Sequence, residues 1–376
     1  MQTQRHLLTS PAPGTTRELH SLHFGPQNGA RKAVIQSALH ADEPPGLLVG
    51  FHLRRKLAEL EAQGHLRAEI VLIPVANPIG MAQRLLGRTL GRFELASGEN
   101  FNRNYADLSV SAWQKLRPQI DSGGEPSVLQ VRAALRAACA ELSAESELKS
   151  LRKILLGLAV DADLLLDLHC DNEALLHLYT ATPLWPQVEP LARLLGAELS
   201  LLSSDSGGAP FDESCTMVWV KLNELWCAHT GKPALWHLPC VGLTVELRGE
   251  AEVSHALASQ DAQAIVAYLT QQGFIEGAPV SLPQLLREPR PLEGCMPIHT
   301  PSGGVLVHAL PLGSFVRAGA CIAEVIDPLS AALHQLLSPV DGLLFARESA
   351  RTVQAGVSVA KISGSEAVRT GNLLSA

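Results

Sequence analysis

The sequence is poor in the features that mark secreted, membrane-spanning or nucleic-acid-binding chains. Its 376 residues hold seven cysteines, an odd count with no CxxC pair. A disulfide framework is therefore not expected, and a reducing compartment, the cytoplasm, is. No apolar run is long enough to span a bilayer, and Met1–His6 lacks the apolar core of a secretory signal. A net charge of −7 without a basic cluster argues against nucleic acid as a partner. Tyrosine is scarce, with Tyr105, Tyr179 and Tyr268 its three instances, and beyond residue 286 Lys361 is the single lysine.

What is present suits a two-part globular protein. A hydrophobic fraction of 46% can bury one large core and a smaller one. Residues 1–285 alternate short apolar runs with amphipathic stretches, the pattern of an α/β fold. Strands are expected at 33–38, 69–75, 163–168 and 243–246. Helices are expected at 46–63, 128–158 with an acidic break at 141–147, and 255–272, the last ended by Gly273. A proline-rich passage from Pro279 to Pro291 marks the boundary. In residues 286–376 an internal repeat follows. Pro301-Ser302-Gly303-Gly304-Val305 and Val316-Arg317-Ala318-Gly319 recur as Pro339-Val340-Asp341-Gly342-Leu343 and Val353-Gln354-Ala355-Gly356, at offsets of 38 and 37 residues. Glycine-punctuated repeats of this kind resemble the halves of a small all-β barrel-sandwich of the biotinyl/lipoyl type. The connecting segment 326–338 holds no lysine, so a carrier role is not expected. Homo-oligomerisation through this unit is the first expectation, and narrowing of access to a metal site the second.

The chemistry-bearing residues fall at the ends of strand-like runs. His40 and Glu43 follow the run 33–38, His169 follows 163–168, and Glu246 ends 242–245. Open α/β sheets place ligands at the carboxyl ends of their strands. Imidazole and carboxylate are zinc ligands, and a catalytic zinc keeps three protein ligands plus an open position. A His-Glu-His set with a further glutamate nearby therefore reads as a metal-water-base arrangement. Asp167, two residues before His169, could orient an imidazole, or could share its direction by alternation alone. Cys170 is expected to serve packing. The polar, glycine-rich segment 203–213 reads as a loop over a pocket, with Asp212 or Glu213 meeting a substrate amine, or as a plain connection. Arg248 could stand at the rim of the site or pair with Glu250, and the second is the first expectation. His177 and Tyr179 share one face of a strand, which could line the pocket but is expected first to be a packed one. The arginines and basic character of the 84–103 stretch suit an anionic substrate.

The order of these motifs resembles the zinc carboxypeptidases, and within them the succinylglutamate desuccinylase/aspartoacylase family. The likeness rests on His40-x-x-Glu43, the turn Asn77-Pro78-Ile79-Gly80, Asn102-Arg103-Asn104, Asp167-Leu168-His169-Cys170 and Thr244-Val245-Glu246-Leu247-Arg248-Gly249, with the small β unit behind them. It covers residues 30–365. The resemblance implies a zinc-carboxypeptidase-like mixed sheet flanked by helices. It implies one Zn2+ per chain held by His40, Glu43 and His169, with Glu246 as general base. Asn102 and Arg103 would bind a substrate carboxylate. Arg92 would polarise the scissile carbonyl, with Arg84 and Arg88 as rivals for that role. The implied substrate is a small N-acylated amino acid, or alternatively a short peptide. Carboxypeptidases carry a mobile tyrosine upstream of the catalytic glutamate, and no tyrosine lies in the stretch before Glu246. That departure favours deacylation over peptide trimming.

Overall fold

Runs such as Ala33-Val34-Ile35 and Leu164-Leu165-Leu166 are apolar on both faces, and strands of that kind are stable between two helical layers. The computed structural model, which describes residues 1–27 and 31–374, has this arrangement. Nine strands among the described residues form one mixed sheet. Its order is Gln2–Leu7, Glu18–Phe24, Glu69–Ile73, Lys32–Ser37, Leu164–Asp171, Val241–Gly249, His177–Thr180, Leu199–Leu202 and Arg290–Pro291. The central three, Lys32–Ser37, Leu164–Asp171 and Val241–Gly249, run parallel. His177–Thr180 turns antiparallel to the last of them.

The two faces of each strand feed separate cores. Val34, Val71, Ile73 and Leu165 pack toward the helices Ser109–Asp121, Val128–Ala140, Glu147–Ala159 and Phe211–Thr230. Ile35, Leu72, Leu166, Leu168 and Val245 pack toward Pro45–Ala62, Trp185–Leu195 and His255–Gln271. The acidic break divides two helices as the sequence suggests. Ser127 and Gln130 form a capping box on the first, and Ser146 caps the second by accepting from the Lys149 N–H. No helix among the described residues is long and apolar enough to cross a membrane.

Past residue 290 the chain forms antiparallel sheets around a core of their own, including Leu306, Ile322, Val325, Val359 and Ile362. The repeat explains their pairing. The long strand of the first unit, Gly304–His308, pairs with the short strand of the second, Thr352–Val353. Reciprocally, Gly342–Arg347 pairs with Phe315–Val316. The units thus interlock rather than stack. Gly342–Arg347 also takes on Glu173–Ala174, the segment just after the His169 strand. This joint brings the β unit against the carboxyl ends of the central strands.

Candidate active site

The site opens where the three central parallel strands end. Ala38 has φ +57° and reverses the chain after the first strand. The reversal carries His40 and Glu43 over the sheet edge, ahead of the helix Pro45–Ala62. Gly91 holds this turn from outside. The Ala41 N–H donates to its carbonyl at 3.1 Å, and a Cβ on Gly91 would lie 2.7 Å from the Ala41 Cα. A bare backbone is required there, and the same close approach delivers the next residue, Arg92, to the site.

His40, Glu43 and His169 are all buried, and their donor atoms lie within 4.8 Å of one another. Glu43 stands between the imidazoles, with Oε1 2.8 Å from His40 Nδ1 and Oε2 2.8 Å from His169 Nδ1. The Cys170 N–H donates to the same Oε2 at 3.0 Å. On its far side His40 Nε2 faces Asn100 Oδ1 at 2.9 Å. That oxygen also accepts from the Asn102 N–H at 2.8 Å, so it is an acceptor and the His40 Nε2 must carry the proton. Burial, then the Arg92 charge, lowers the His40 pKa, which keeps the ring neutral. Its Nδ1 lone pair therefore points at a carboxylate oxygen with no proton between them. Converging lone pairs of this kind fit a cation, and the imidazole–carboxylate set is one that zinc accepts.

His169 has an acid on either side. Its Nε2 lies 3.1 Å from Asp167 Oδ2 and 3.4 Å from Asn102 Nδ2. Burial opposes its protonation, yet Asp167 and Glu43 together hold its pKa well above the usual value. Glu43 is correspondingly held well below the carboxylate range, against its burial, by His169 and His40. Without a metal the site keeps a proton on His169. A metal would displace it, since a ligating imidazole must be neutral.

Glu246 sits directly across the strand pair from His169. Its Oε2 is buried with no hydrogen-bond partner among the described residues. Burial first, and the Glu43 charge next, push its carboxyl up to about 8. A divalent cation beside it would pull this value back down.

These residues line one cavity of about 440 Å³, a size suited to a small ligand. Arg92 lines it with Nη1 3.4 Å from both His40 Nδ1 and Glu43 Oε1. Arg84 and Arg88 sit on an exposed two-strand hairpin away from the cavity wall. Arg103 also lines the cavity, held by the Asn102 carbonyl at 2.6 Å. The Asn102 side chain is already at work in the framework. Its Oδ1 accepts the Phe211 N–H at 2.8 Å, which leaves its Nδ2 as the group available to a ligand.

Several expectations change on contact with the structure. Arg248 pairs with both oxygens of Asp261, at 2.9 and 2.8 Å, and not with Glu250. A bulge after Glu246 puts Arg248 at φ +70° and turns it toward the helix His255–Gln271. Tyr179 is no simple packing residue, because it lines the cavity while His177 behind it is fully buried. The segment 203–213 contributes Ser203, Ser206, Pro210, Asp212 and Glu213 to the wall. Burial, and then Asp167, raises Asp212 to about 6. Burial, and then Asp212, raises Glu213 to about 7. Cys170 borders the cavity too, with burial pushing its thiol far up.

The β unit supplies residues that sequence reasoning missed. Cys295, Pro297, Lys361, Arg369 and Leu373 all border the same cavity, so this unit forms part of the wall around the candidate metal site. Lys361 reaches across to pair with Asp171, two residues past His169. Its standing as the lone lysine beyond residue 286 is the one sequence signal that marks it.

No family model matches the sequence, and no curated protein does. Solved structures do. A protein of Shewanella frigidimarina provisionally assigned as a succinylglutamate desuccinylase/aspartoacylase superimposes with a TM-score of 0.81 at 24% identity, covering 96% of this chain and 97% of that one. A provisional family member from Shewanella amazonensis gives the same score and identity, with 96% and 98% covered. The fold is that of the succinylglutamate desuccinylase/aspartoacylase proteins. A succinylglutamate desuccinylase/aspartoacylase from Rhodobacter sphaeroides extends the likeness at TM-score 0.63 and 16% identity, over 97% of this chain and 96% of that one. In all three the coverage takes in the β unit as well as the large sheet.

Proposed function

We propose that the protein is a zinc-dependent amide hydrolase of the succinylglutamate desuccinylase/aspartoacylase family, removing the acyl group from a small N-acylated amino acid. The reading is carried by one observation. The partnerless Oε2 of Glu246 is buried in register with His169, beside three donor atoms that converge for a cation. His40, Glu43 and His169 would hold a single Zn2+. When bound, zinc would lower the pKa of a water toward roughly 7 and act as a Lewis acid on the amide. Glu246 would take the proton of the attacking water and return it to the leaving amine. Arg92 would stabilise the negative charge that grows on the carbonyl oxygen. Arg103 would fork onto the substrate carboxylate, with the Asn102 amide N–H beside it.

A short-peptide hydrolase shares every one of these steps. The deacylase is preferred because the β unit encloses the cavity, which leaves room for a small substrate. The deciding experiment is hydrolysis by zinc-loaded protein of a panel of N-acetyl, N-succinyl and N-formyl amino acids against dipeptides, with Glu246→Gln as control. Turnover confined to acylated amino acids supports the proposal. Turnover of dipeptides alone assigns a peptidase, and silence on both with zinc bound removes the hydrolase.

A further inference from the structure

The strand His177–Thr180 brings to the cavity a tyrosine that the proposed reaction leaves unused. It pairs antiparallel with Val241–Gly249, which sets Tyr179 opposite Thr244 and His177 opposite Glu246. Directly opposed residues share a face of the sheet, so Tyr179 and His177 lie on the same face as Glu246. Tyr179 lines the cavity, whereas His177 is fully buried. The His177 ring meets those of Tyr179 and Phe345 edge-on, with centroids 5.2 and 5.1 Å apart. Its hydrogen bonds fix the direction of the phenol proton. His177 Nδ1 lies 2.8 Å from the Leu175 carbonyl oxygen, which can only accept, so Nδ1 carries a proton. Burial pulls the imidazole down to about 4, so at neutral pH the ring holds that proton alone and Nε2 is a bare acceptor. The Tyr179 hydroxyl, 3.2 Å away, therefore donates to Nε2. Burial, and then Glu246, hold the phenol well above its ordinary value, so its proton stays on. A phenol locked in this way offers the cavity an acceptor and no donor. The Glu246 charge raises it and the Arg92 charge lowers it, which places the hydroxyl near both the base and the cation given to the carbonyl.

We propose that Tyr179 accepts a hydrogen bond from the N–H of the scissile amide, and that it is the specificity-determining residue that selects amides over esters. This rests on the amide-hydrolase reading above and adds to it a contact on the leaving-group side. The N–H of an N-acylated amino acid meets the phenol oxygen. An ester of the same shape places an oxygen there instead, and two oxygens with no proton between them repel. The hydroxyl cannot turn to donate to the ester without leaving His177 Nε2 unpaired in the core, which is costly. His177 is thus the positioning residue that sets which way the hydroxyl points. Holding the N–H also fixes the nitrogen beside Glu246, the group that returns a proton to it in the proposed reaction.

The test uses full-length, zinc-loaded protein and Tyr179→Phe, which removes one oxygen and keeps the ring. N-acetylalanine and N-acetylaspartate are compared by kcat/KM with their ester counterparts, O-acetyllactate and O-acetylmalate. In the variant the amides should fall about tenfold or more, the order that an N–H left unpaired in a cavity costs, while the esters stay within about twofold of wild type or rise. An amide-to-ester ratio that moves by less than about threefold overturns the proposal, whether activity on both is kept or lost. A second measurement needs neither turnover nor a variant. In wild-type protein carrying isotope-labelled histidine, nitrogen–proton NMR correlations at neutral pH should show His177 with its proton on Nδ1 and a bare Nε2. The ring is identified by its contacts with Phe345 and Tyr179. A proton on Nε2 overturns the proposal, since the hydroxyl would then be free to donate to a substrate. If wild type hydrolyses none of the four compounds, the amide-hydrolase reading falls, and the His177 tautomer still decides whether Tyr179 presents an acceptor to the cavity.

Discussion

Replacing Lys361 by methionine removes one charge and keeps most of the side-chain volume. It therefore isolates what the ion pair with Asp171 contributes to holding the β unit on the catalytic sheet. At an effective dielectric of about 20, two unit charges about 3 Å apart attract by roughly 5.5 kcal/mol, before desolvation is subtracted. Deleting one partner of a buried pair costs about 3–5 kcal/mol, largely because the other charge is left alone. The Lys361 and Asp171 side chains are 26% and 17% exposed, so solvent screens the pair in part and the cost falls below that range, to about 2–3 kcal/mol. Asp171 would then face Glu246 without its counter-charge. The double variant Lys361→Met, Asp171→Asn removes that stranded charge, and should regain most of the loss. The assay is urea unfolding of chelator-treated protein, followed by tryptophan fluorescence. The pH dependence has a definite sign. Burial would raise the Asp171 carboxyl, but the Lys361 ammonium holds it below its ordinary value. Burial would lower Lys361, but Asp171 raises it. The Asp171 contribution is thus present above about pH 4 and lost as pH falls through the depressed folded value. The Lys361 contribution is present below about pH 10 and lost as pH rises through the raised folded value. The wild-type advantage should be flat between these limits and shrink at both ends. A single variant within about 0.5 kcal/mol of wild type, or a double variant no more stable than the single, would refute the reasoning.

Glu246→Gln should lower turnover by about 100- to 10,000-fold while zinc content is unchanged; retained hydrolysis would take Glu246 out of the mechanism. The same variant has a metal-free signature. The Glu246 carboxyl is raised to about 8 in the folded protein, so folding favours its protonated form and wild-type stability should fall as pH climbs from the ordinary carboxyl value toward 8. Chelator-treated Glu246→Gln should lose that slope, as thermal melts at pH 5 and pH 8 would reveal. His169→Ala should lose metal, read by elemental analysis after dialysis, and full occupancy would exclude it as a ligand. Arg103→Lys should act mainly on KM, because a lysine cannot form two parallel bonds to a carboxylate; a loss confined to kcat would place it on the transition state instead.

The sequence displayed the metal-site candidates well because they obey strand logic. His169 and Glu246 end apolar runs, and the parallel register of those runs sets them side by side. His40 and Glu43 lie three apart, a spacing a tight turn can bring to one side. The residues that steady them were harder to see. Asn100, which fixes the His40 tautomer, is sixty residues from it in the chain, and no local pattern announces that contact. The Arg248 pairing failed for a similar reason. Glu250 is the acid near Arg248 in sequence, whereas the bulge after Glu246 redirects the side chain to Asp261. Arg92 separated from Arg84 and Arg88 only through Gly91, whose need for a bare backbone depends on Ala41, fifty residues earlier. The repeat after residue 300 was legible as glycine spacing. That its halves exchange short strands was not, since spacing carries no pairing information.

The β unit changes how the large sheet is to be understood. The central strands alone would leave Glu246 and its neighbours at an open sheet edge, where water screens every charge. The unit covers that edge through the Glu173–Ala174 pairing, the Lys361–Asp171 contact and the 369–374 segment. Where that cover excludes water, the charge interactions left in the cavity are strengthened. Burial also raises the Glu246 carboxyl, while Asp167 and Glu43 keep a proton on His169 against its burial. A site of this kind is least comfortable when empty, and a bound cation relieves both strains at once. A metal bound there would therefore be linked to folding stability through the same few buried groups.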